Sequence, residues 1–115
     1  MVKRQKRFEL RLWVYQGDVR VFGPGRLELL DRIESTGSIS QAARDMGMSY
    51  KKAWRMVDEM NQSASEPYVL LQKGGKQGGG AELTVKGRLV ASEYRRILER
   101  LHKVVQQQTD FLKTL

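Results

Sequence analysis

The sequence predicts an α+β domain that is mostly helical, with a β-hairpin near the N-terminus and a long helix at the C-terminus. Three observations predict this fold class. Residues 38–61 hold two short runs of helical periodicity separated by a glycine, residues 8–22 alternate as strands do, and residues 84–115 carry a heptad repeat. These regions divide the chain into a basic arm at 1–7, a compact domain at 8–83 and a terminal helix at 84–115.

The N-terminal arm carries lysine and arginine side chains and no acidic residue. Two interpretations stay open for it: a disordered tail, or an arm that contacts the backbone of a nucleic acid. The arm has no apolar centre of the kind that a signal peptide needs.

Residues 8–22 predict a β-hairpin with its turn at Gly17. The first strand alternates apolar residues with polar or aromatic ones, which is the period of a strand with one buried face. Its apolar members are Phe8, Leu10, Leu12 and Val14. Trp13 and Tyr15 share the other face, where we expect them to pack against a neighbouring element, with stacking on bases as the alternative.

A first helix follows, beginning near Pro24 and ending at Gly37. Proline is favoured at the first helical position, and glycine is favoured just after the last one. Leu27, Leu30 and Ile33 recur at helical spacing and give this helix an apolar stripe.

The next stretch predicts a helix-turn-helix. Ser38 and Gln41 match the S-x-x-Q capping box, which places the start of a helix directly after the serine. Gly47 supplies the left-handed residue that ends this helix. Ser49 is suited to cap a second helix that runs from Tyr50 onward.

The second helix of this motif has an apolar face and a basic face. The apolar face is formed by Tyr50, Ala53, Val57 and Met60, with Trp54 beside them as a predicted core residue. The basic face carries Lys51, Lys52 and Arg55. This layout is typical of a recognition helix, whose lysine and arginine side chains donate to guanine O6 and N7 or to phosphates.

DNA contacts are accordingly expected from both helices of the motif. On the second helix they are Ser49, Tyr50, Lys51, Lys52 and Arg55, and at the start of the first they are Ser38, Ser40 and Gln41. The alternative for Lys51 and Lys52 is a solvated helix surface.

A glycine-rich hairpin, or wing, is predicted after the helix-turn-helix. Residues 68–71 and 81–83 predict strands, and between them residues 74–80 include five glycines. Glycines let a backbone approach a duplex closely, and the predicted contacts are Lys73, Gly74, Gly75, Lys76 and Gln77. A floppy hairpin tip is the alternative. The segment lacks G-x-x-x-x-G-K-[ST], so it does not predict a nucleotide-binding loop.

The terminal helix is expected to begin after Thr84 and to run without proline to the end of the chain. Its apolar residues recur at alternating four- and three-residue steps, which is typical of a coiled-coil seam with two copies paired along it. The seam positions are Val90, Tyr94, Ile97, Leu101, Val104, Gln108, Phe111 and Leu115, with Gln108 as the one polar member. The alternatives are a helix folded back onto its own domain, and a break near residues 106–108 that gives two shorter helices.

Composition excludes several classes of protein. With 21 lysines and arginines against 13 acidic residues, the net charge of +8 favours a polyanionic partner: DNA, RNA or an acidic surface. The absence of cysteine excludes disulfides and thiolate chemistry, and the single histidine, His102, has no nucleophile beside it. We expect no enzyme, no metal and no cofactor. No apolar run reaches the length of about 18 residues that spans a membrane, so a cytoplasmic location is expected.

Two runs of the sequence carry a family resemblance. GSISQAARDMGMSYKKAWRMVDEMN, followed by EPYVLLQKGGKQGGGAELTVKGRLV, closely resembles the N-terminal DNA-binding domain of the ModE family of molybdate-responsive transcriptional regulators. It resembles the winged helix of LysR-type regulators more distantly. The resemblance implies a cytoplasmic homodimeric regulator of inverted-repeat operators, in which residues 49–55 read bases and residues 74–80 grip the backbone.

One departure from the family concerns its signal. ModE-like regulators carry molybdate-binding modules after the DNA-binding domain, and no segment of these 115 residues is long enough to be one. Molybdate binding is therefore not carried over. A stand-alone regulator, a response to another signal through a separate effector-binding partner, and a truncated chain are the alternatives.

The sequence thus predicts a winged helix-turn-helix regulator that binds double-stranded DNA as a homodimer on a pseudo-palindromic operator. The alternatives are a basic structural or RNA-binding protein, and an adaptor that uses the long helix to bind another protein.

Overall fold

The computed structural model describes residues 4–72 and 80–115. The elements in chain order are β1 Val14–Gln16, β2 Val19–Phe22, α1 Pro24–Thr36, α2 Ile39–Asp45, α3 Tyr50–Ser63, β3 Val69–Leu71, β4 Ala81–Leu83, α4 Val85–Gln106 and α5 Asp110–Lys113. The strands form two separate antiparallel pairs, β1 with β2 and β3 with β4. The predicted fold class, α+β and mostly helical with an N-terminal hairpin, is confirmed.

The core lies where α1, α2, α3, the β3–β4 hairpin and the first half of α4 meet. Its buried residues are Phe22, Leu29, Leu30, Ile33, Ile39, Ala42, Ala43, Ala53, Val57, Met60, Val69, Ala81, Leu83, Ala91 and Tyr94. The predicted limits of α1 are confirmed, since Pro24 opens it and Gly37 ends it with a left-handed φ of 70°.

The first hairpin is shorter than the alternation predicts. Pairing begins only at Val14, so the expectation of a strand from Phe8 onward is wrong. Instead, the extended segment before β1 lies against the C-terminal helices: the Phe8 ring stacks on Phe111 with centroids 6.3 Å apart, and the Tyr94 hydroxyl donates to the Leu12 carbonyl at 2.5 Å. Alternate residues of this segment are half-buried. Any extended segment with one covered face shows this period, whether a strand or a helix covers it.

The first half of α4 is fixed against the rest of the domain. Thr84 caps the helix as predicted, accepting from the Gly87 amide at 2.9 Å. Two ion pairs join α4 to α1, with donor–acceptor distances of 3.1 Å for Arg88–Glu34 and 2.6 Å for Arg95–Asp31. These pairs are exposed, so each contributes at most about 1 kcal/mol and mainly orients the helix.

The expectation of one continuous terminal helix is wrong, and the alternative of a break near residues 106–108 is what the structure has. α4 ends at Gln106, and α5 spans Asp110–Lys113. The turn between them brings Phe111 onto Phe8 and lets the carbonyl of Leu115 accept from the Lys6 ammonium at 2.6 Å. A helix extending past the core has little tertiary support, and this turn recovers an apolar contact.

Tyr94 is also placed differently from its prediction as a seam residue. Its side chain is 4% exposed, and its ring meets Phe22 edge-on with centroids 5.0 Å apart. It therefore belongs to the core of the domain, which covers this face of α4 at Tyr94, and it is not available to a second copy.

Candidate nucleic-acid interface

The corner between α2 and α3 is built by local capping. Ser38 accepts from the Gln41 amide and Ser49 accepts from the Lys52 amide, each at 3.1 Å. Gly47 takes the predicted left-handed conformation, with φ of 68°. Both predicted caps are confirmed, and together they fix where the second helix begins and in which direction it leaves the corner.

The second half of the predicted capping box is not formed. The Gln41 side chain donates to Asp45 at 2.8 Å and accepts from Arg44 at 3.1 Å, so it does not reach back to the Ser38 amide. That amide donates instead to the Thr36 hydroxyl at 3.3 Å. The hydroxyl of Ser38 is used within the fold, whereas the side chain of Ser40 is exposed at the start of α2.

Helix α3 is buried along one face, as predicted, but with fewer aromatic residues there. Ala53, Val57 and Met60 are buried, whereas Tyr50 is 56% exposed and Trp54 is 42% exposed. The assignment of these two aromatic residues to the buried side is wrong. Tyr50 is the first residue of the helix, and Trp54 is rotated by about 100° from Ala53, which turns it out of the core.

The basic side chains of α3 are exposed beside these aromatic residues. Lys51, Lys52 and Arg55 all face solvent, as predicted. Among residues 4–72 and 80–115, Arg55 has one loose ionic neighbour, Glu59, with its Nε 3.8 Å from a carboxylate oxygen. Glu59 is held more closely by Arg26, at 2.9 Å, so the Arg55 guanidinium is left available to an external acceptor.

The base of the predicted wing is confirmed. β3 and β4 pair with Val69 opposite Leu83 and Leu71 opposite Ala81, and the Gln72 amide donates to the Gly80 carbonyl at 2.8 Å just beyond them. The predicted wing contacts Lys73, Gly74, Gly75, Lys76 and Gln77 lie outside the described residues. The hairpin therefore starts and ends beside the helix-turn-helix, in the order typical of a winged helix.

This helix-turn-helix is matched by a known family. The model for bacterial regulatory helix-turn-helix proteins of the lysR family matches residues 24–88, from the start of α1 into α4. The chain belongs to this family.

Within this family, the chain is similar to ModE regulators, as the resemblance in the sequence predicts. The DNA-binding transcriptional dual regulator ModE of Escherichia coli (strain K12) is 48% identical over 62% of this chain and 27% of its own length. The molybdenum transport protein ModE of Azotobacter vinelandii is 43% identical over 69% of this chain and 33% of its own length. The chain thus spans about a third or less of the length of these relatives.

A solved structure supports the fold. The protein in the crystal structure of a CbnR_DBD–DNA complex matches with a TM-score of 0.56, covering 75% of this chain and 93% of that chain at 21% identity. At this level of identity the likeness concerns the fold alone, which is that of this lysR-family domain.

One residue that sequence reasoning missed joins the two halves of the interface. Asn61, in the last turns of α3, donates to the Val69 carbonyl at 3.0 Å and accepts from the amides of Tyr68 and Val69 at 2.9 and 3.2 Å. Its side-chain amide donates and accepts as a peptide group would, and so it satisfies backbone groups at the edge of β3. The signal in the sequence that could have identified Asn61 is its position four residues after Val57, which places this polar residue on the buried face of the helix.

The predicted seam is only partly an exposed surface. Val90 packs against the core and Tyr94 lies within it. By contrast, Ile97 is 46% exposed, Leu101 is 37% exposed and Val104 is 56% exposed. Phe111 and Leu115 are also exposed, on and after α5. The outer stripe of α4, defined here as Ile97, Leu101 and Val104, is therefore the part of the seam that solvent reaches.

The described end of the basic arm lies at the far end of α4. Lys6 is bonded to the carbonyl of Leu115, and Arg4 and Arg7 precede the segment that reaches Phe111.

Two kinds of feature are absent from the described residues. Across residues 4–72 and 80–115, no helix is long and apolar enough to cross a membrane. Within the same described part of the chain, no group of three or more histidine, aspartate or glutamate side chains is placed to hold a metal ion.

Proposed function

We propose that the protein is a transcriptional regulator that binds double-stranded DNA sequence-specifically, as a homodimer on a pseudo-palindromic operator in the cytoplasm. The observation that carries the proposal is the first two turns of α3, where exposed Lys51, Lys52 and Arg55 stand opposite a buried apolar face on a corner fixed by two serine caps. A helix presented in this way fits the major groove of a duplex.

The contacts proposed for each side chain follow from its chemistry. The Arg55 guanidinium is suited to bidentate donation to guanine O6 and N7, because its own ionic neighbour is distant. Lys51 and Lys52 supply compact charges for phosphates or base edges. Wing lysines Lys73 and Lys76 add phosphate contacts that position the domain without reading sequence.

The outer stripe of α4 supports the dimer. Three apolar side chains on successive turns are exposed to water on a helix that projects from the core, and covering them stabilises a pair of copies. A dimer places its two α3 helices about one helical turn of DNA apart, or a multiple of it, and the operator then repeats with the same spacing. Tyr94 takes no part, because it is buried in its own domain.

Molybdate sensing is not proposed for these residues. The ModE protein of Azotobacter vinelandii, whose name refers to molybdenum transport, is about three times as long as the part matched here, and that part contains the helix-turn-helix. Any effector is proposed to act through a separate module or partner that changes the pairing of the two copies.

Selection of bound sequences from a random duplex library tests DNA binding, specificity and symmetry together. We expect an enriched inverted repeat. On that sequence, Arg55→Ala and Lys52→Ala each weaken binding by about 1–3 kcal/mol if the residue contacts a base. Equal losses on selected and random DNA mark a phosphate contact, and Lys113→Ala, which removes the same charge far from α3, serves as the control. No binding to any duplex, or preference for structured RNA, would overturn the proposal.

Sedimentation of the purified chain tests the dimer. We expect a concentration-dependent dimer that Leu101→Lys converts to a monomer, because a charge in the outer stripe must be desolvated on pairing. His102→Lys, at the next and exposed position, is the matched control and leaves pairing intact. A wild-type chain that stays monomeric at high concentration contradicts the homodimer.

A further inference from the structure

The exposed aromatic residues of α3 are unusual for a helix with a basic outer face. Tyr50 and Trp54 are four residues apart, so their side chains lie on adjacent turns of the same side of the helix. Within residues 4–72 and 80–115, neither ring belongs to the aromatic pairs or cation–π contacts of the fold. Two large apolar side chains thus remain in contact with water in the free chain.

The aromatic pair lies next to a pair of cations with the same spacing. Lys51 and Arg55 are also four residues apart, and each follows one aromatic residue by one position, a rotation of about 100°. The first two turns of α3 therefore present two parallel stripes, one aromatic and one cationic. The aromatic stripe borders the buried face and the cationic stripe points away from it.

The charge beside the aromatic stripe determines which occupant fits. Covering it with the same face of a second copy would bring Lys51, Lys52 and Arg55 against their equivalents, and like charges in contact are unfavourable. A polyanion is favoured instead. Bases in an intact duplex expose edges rather than faces, so ring stacking is not open to these side chains in the groove.

The major groove offers one apolar group on its base edges, which is the C5-methyl group of thymine. Resting on the function proposed above, we propose that Tyr50 and Trp54 cover thymine methyl groups and so specify A·T pairs beside the bases contacted by the cationic stripe. A rigid ring brings a large apolar surface to a methyl group at low entropic cost. The operator is expected to carry thymines in each half-site at a fixed offset from the contacted guanines.

Replacing thymine by deoxyuridine removes only the methyl group and keeps base pairing. The probe is the duplex enriched by selection, substituted one thymine at a time in one half-site. Wild-type protein is expected to bind about fourfold more weakly at each covered methyl, the factor for burying one such group. Trp54→Ala is expected to bind the unsubstituted duplex more weakly and to lose this sensitivity at its own positions.

Two controls keep the outcomes separate. Tyr50→Phe keeps the apolar ring and should retain the deoxyuridine effect, and the helical circular dichroism of Trp54→Ala reports whether the domain is still folded. Tight, specific binding that is indifferent to deoxyuridine at every position overturns the thymine inference and leaves the proposed function intact. A deoxyuridine effect that survives in Trp54→Ala and in Tyr50→Ala also overturns it. Failure to bind any duplex is failure of the proposed function instead.

Discussion

Gly87→Ala tests the closest contact between α4 and the base of the β3–β4 hairpin. A Cβ at this position would lie 2.2 Å from the carbonyl oxygen of Tyr68, where ordinary contact begins at 3.4 Å. The helix and the strand would have to separate by about 1.2 Å to accept one methyl group. The obstacle is backbone, so no side-chain rotation relieves it.

The energetic cost follows from what holds that carbonyl. Tyr68 O accepts from the Thr84 amide at 3.0 Å and from the Thr84 hydroxyl at 3.3 Å, and a shift of that size weakens both bonds. Overpacking costs about 1–3 kcal/mol, and a lost hydrogen bond adds about 1 kcal/mol. Alanine recovers up to about 1 kcal/mol of helix propensity. The free energy of unfolding should therefore fall by about 1–3 kcal/mol.

Gly25→Ala is the matched control for this change. It makes the same substitution in the first turn of another helix, where the nearest atom to a new Cβ is Met56 Cε at 3.9 Å. Its stability should stay unchanged or rise by up to about 1 kcal/mol. Urea unfolding followed by circular dichroism measures both variants, at one fixed protein concentration because the proposed pairing would also stabilise the fold. Equal stability of the two variants would refute the close approach at Gly87.

Three further perturbations test other contacts of the fold. Asn61→Ala should lower the free energy of unfolding by about 1–3 kcal/mol through the unsatisfied groups of β3, and Gln62→Ala, its exposed neighbour, should not. Ser49→Ala should cost about 1 kcal/mol in a thermal melt by removing a helix cap, and an equal cost for Ser40→Ala would argue against capping as the reason. Burial raises the pKa of Tyr94 above 10.0, so the unfolded chain loses this proton first as pH rises. Stability should then decline from about pH 10 upward, and alkaline titration of Tyr94→Phe should show a smaller decline.

The helix-turn-helix could be predicted because its signals are local. A serine before each helix and a glycine after the first settle the boundaries within a few residues, and the structure keeps both caps and the left-handed Gly47. The ends of α1 and the strands of the second hairpin follow from equally local signals. Membership of a family could also be predicted, because the stretch from Ser38 to Asn61 and the glycine-rich segment after it carry unusual residues in a short span.

The remaining features depend on contacts between distant parts of the chain. The alternation from Phe8 to Leu12 is the same for a paired strand and for an extended segment lying on helices, and only the partner Phe111 decides between them. The heptad pattern likewise cannot show that Tyr94 belongs to the core. The position of Trp54 was predicted wrongly because a residue at the edge of a buried face is buried only where another element packs against it. In the described part of the chain, its side chain stays exposed.

The three hydrogen bonds of Asn61 have a consequence for the kind of duplex that the domain accepts. They join the end of α3 directly to β3, so α3 and the root of the hairpin keep one separation in the free protein. A duplex that contacts both elements meets a gap set by the protein, and its groove width must match that gap or be deformed at a cost in free energy. Under the proposed function, the shape of the duplex then contributes to the choice of site alongside its base edges.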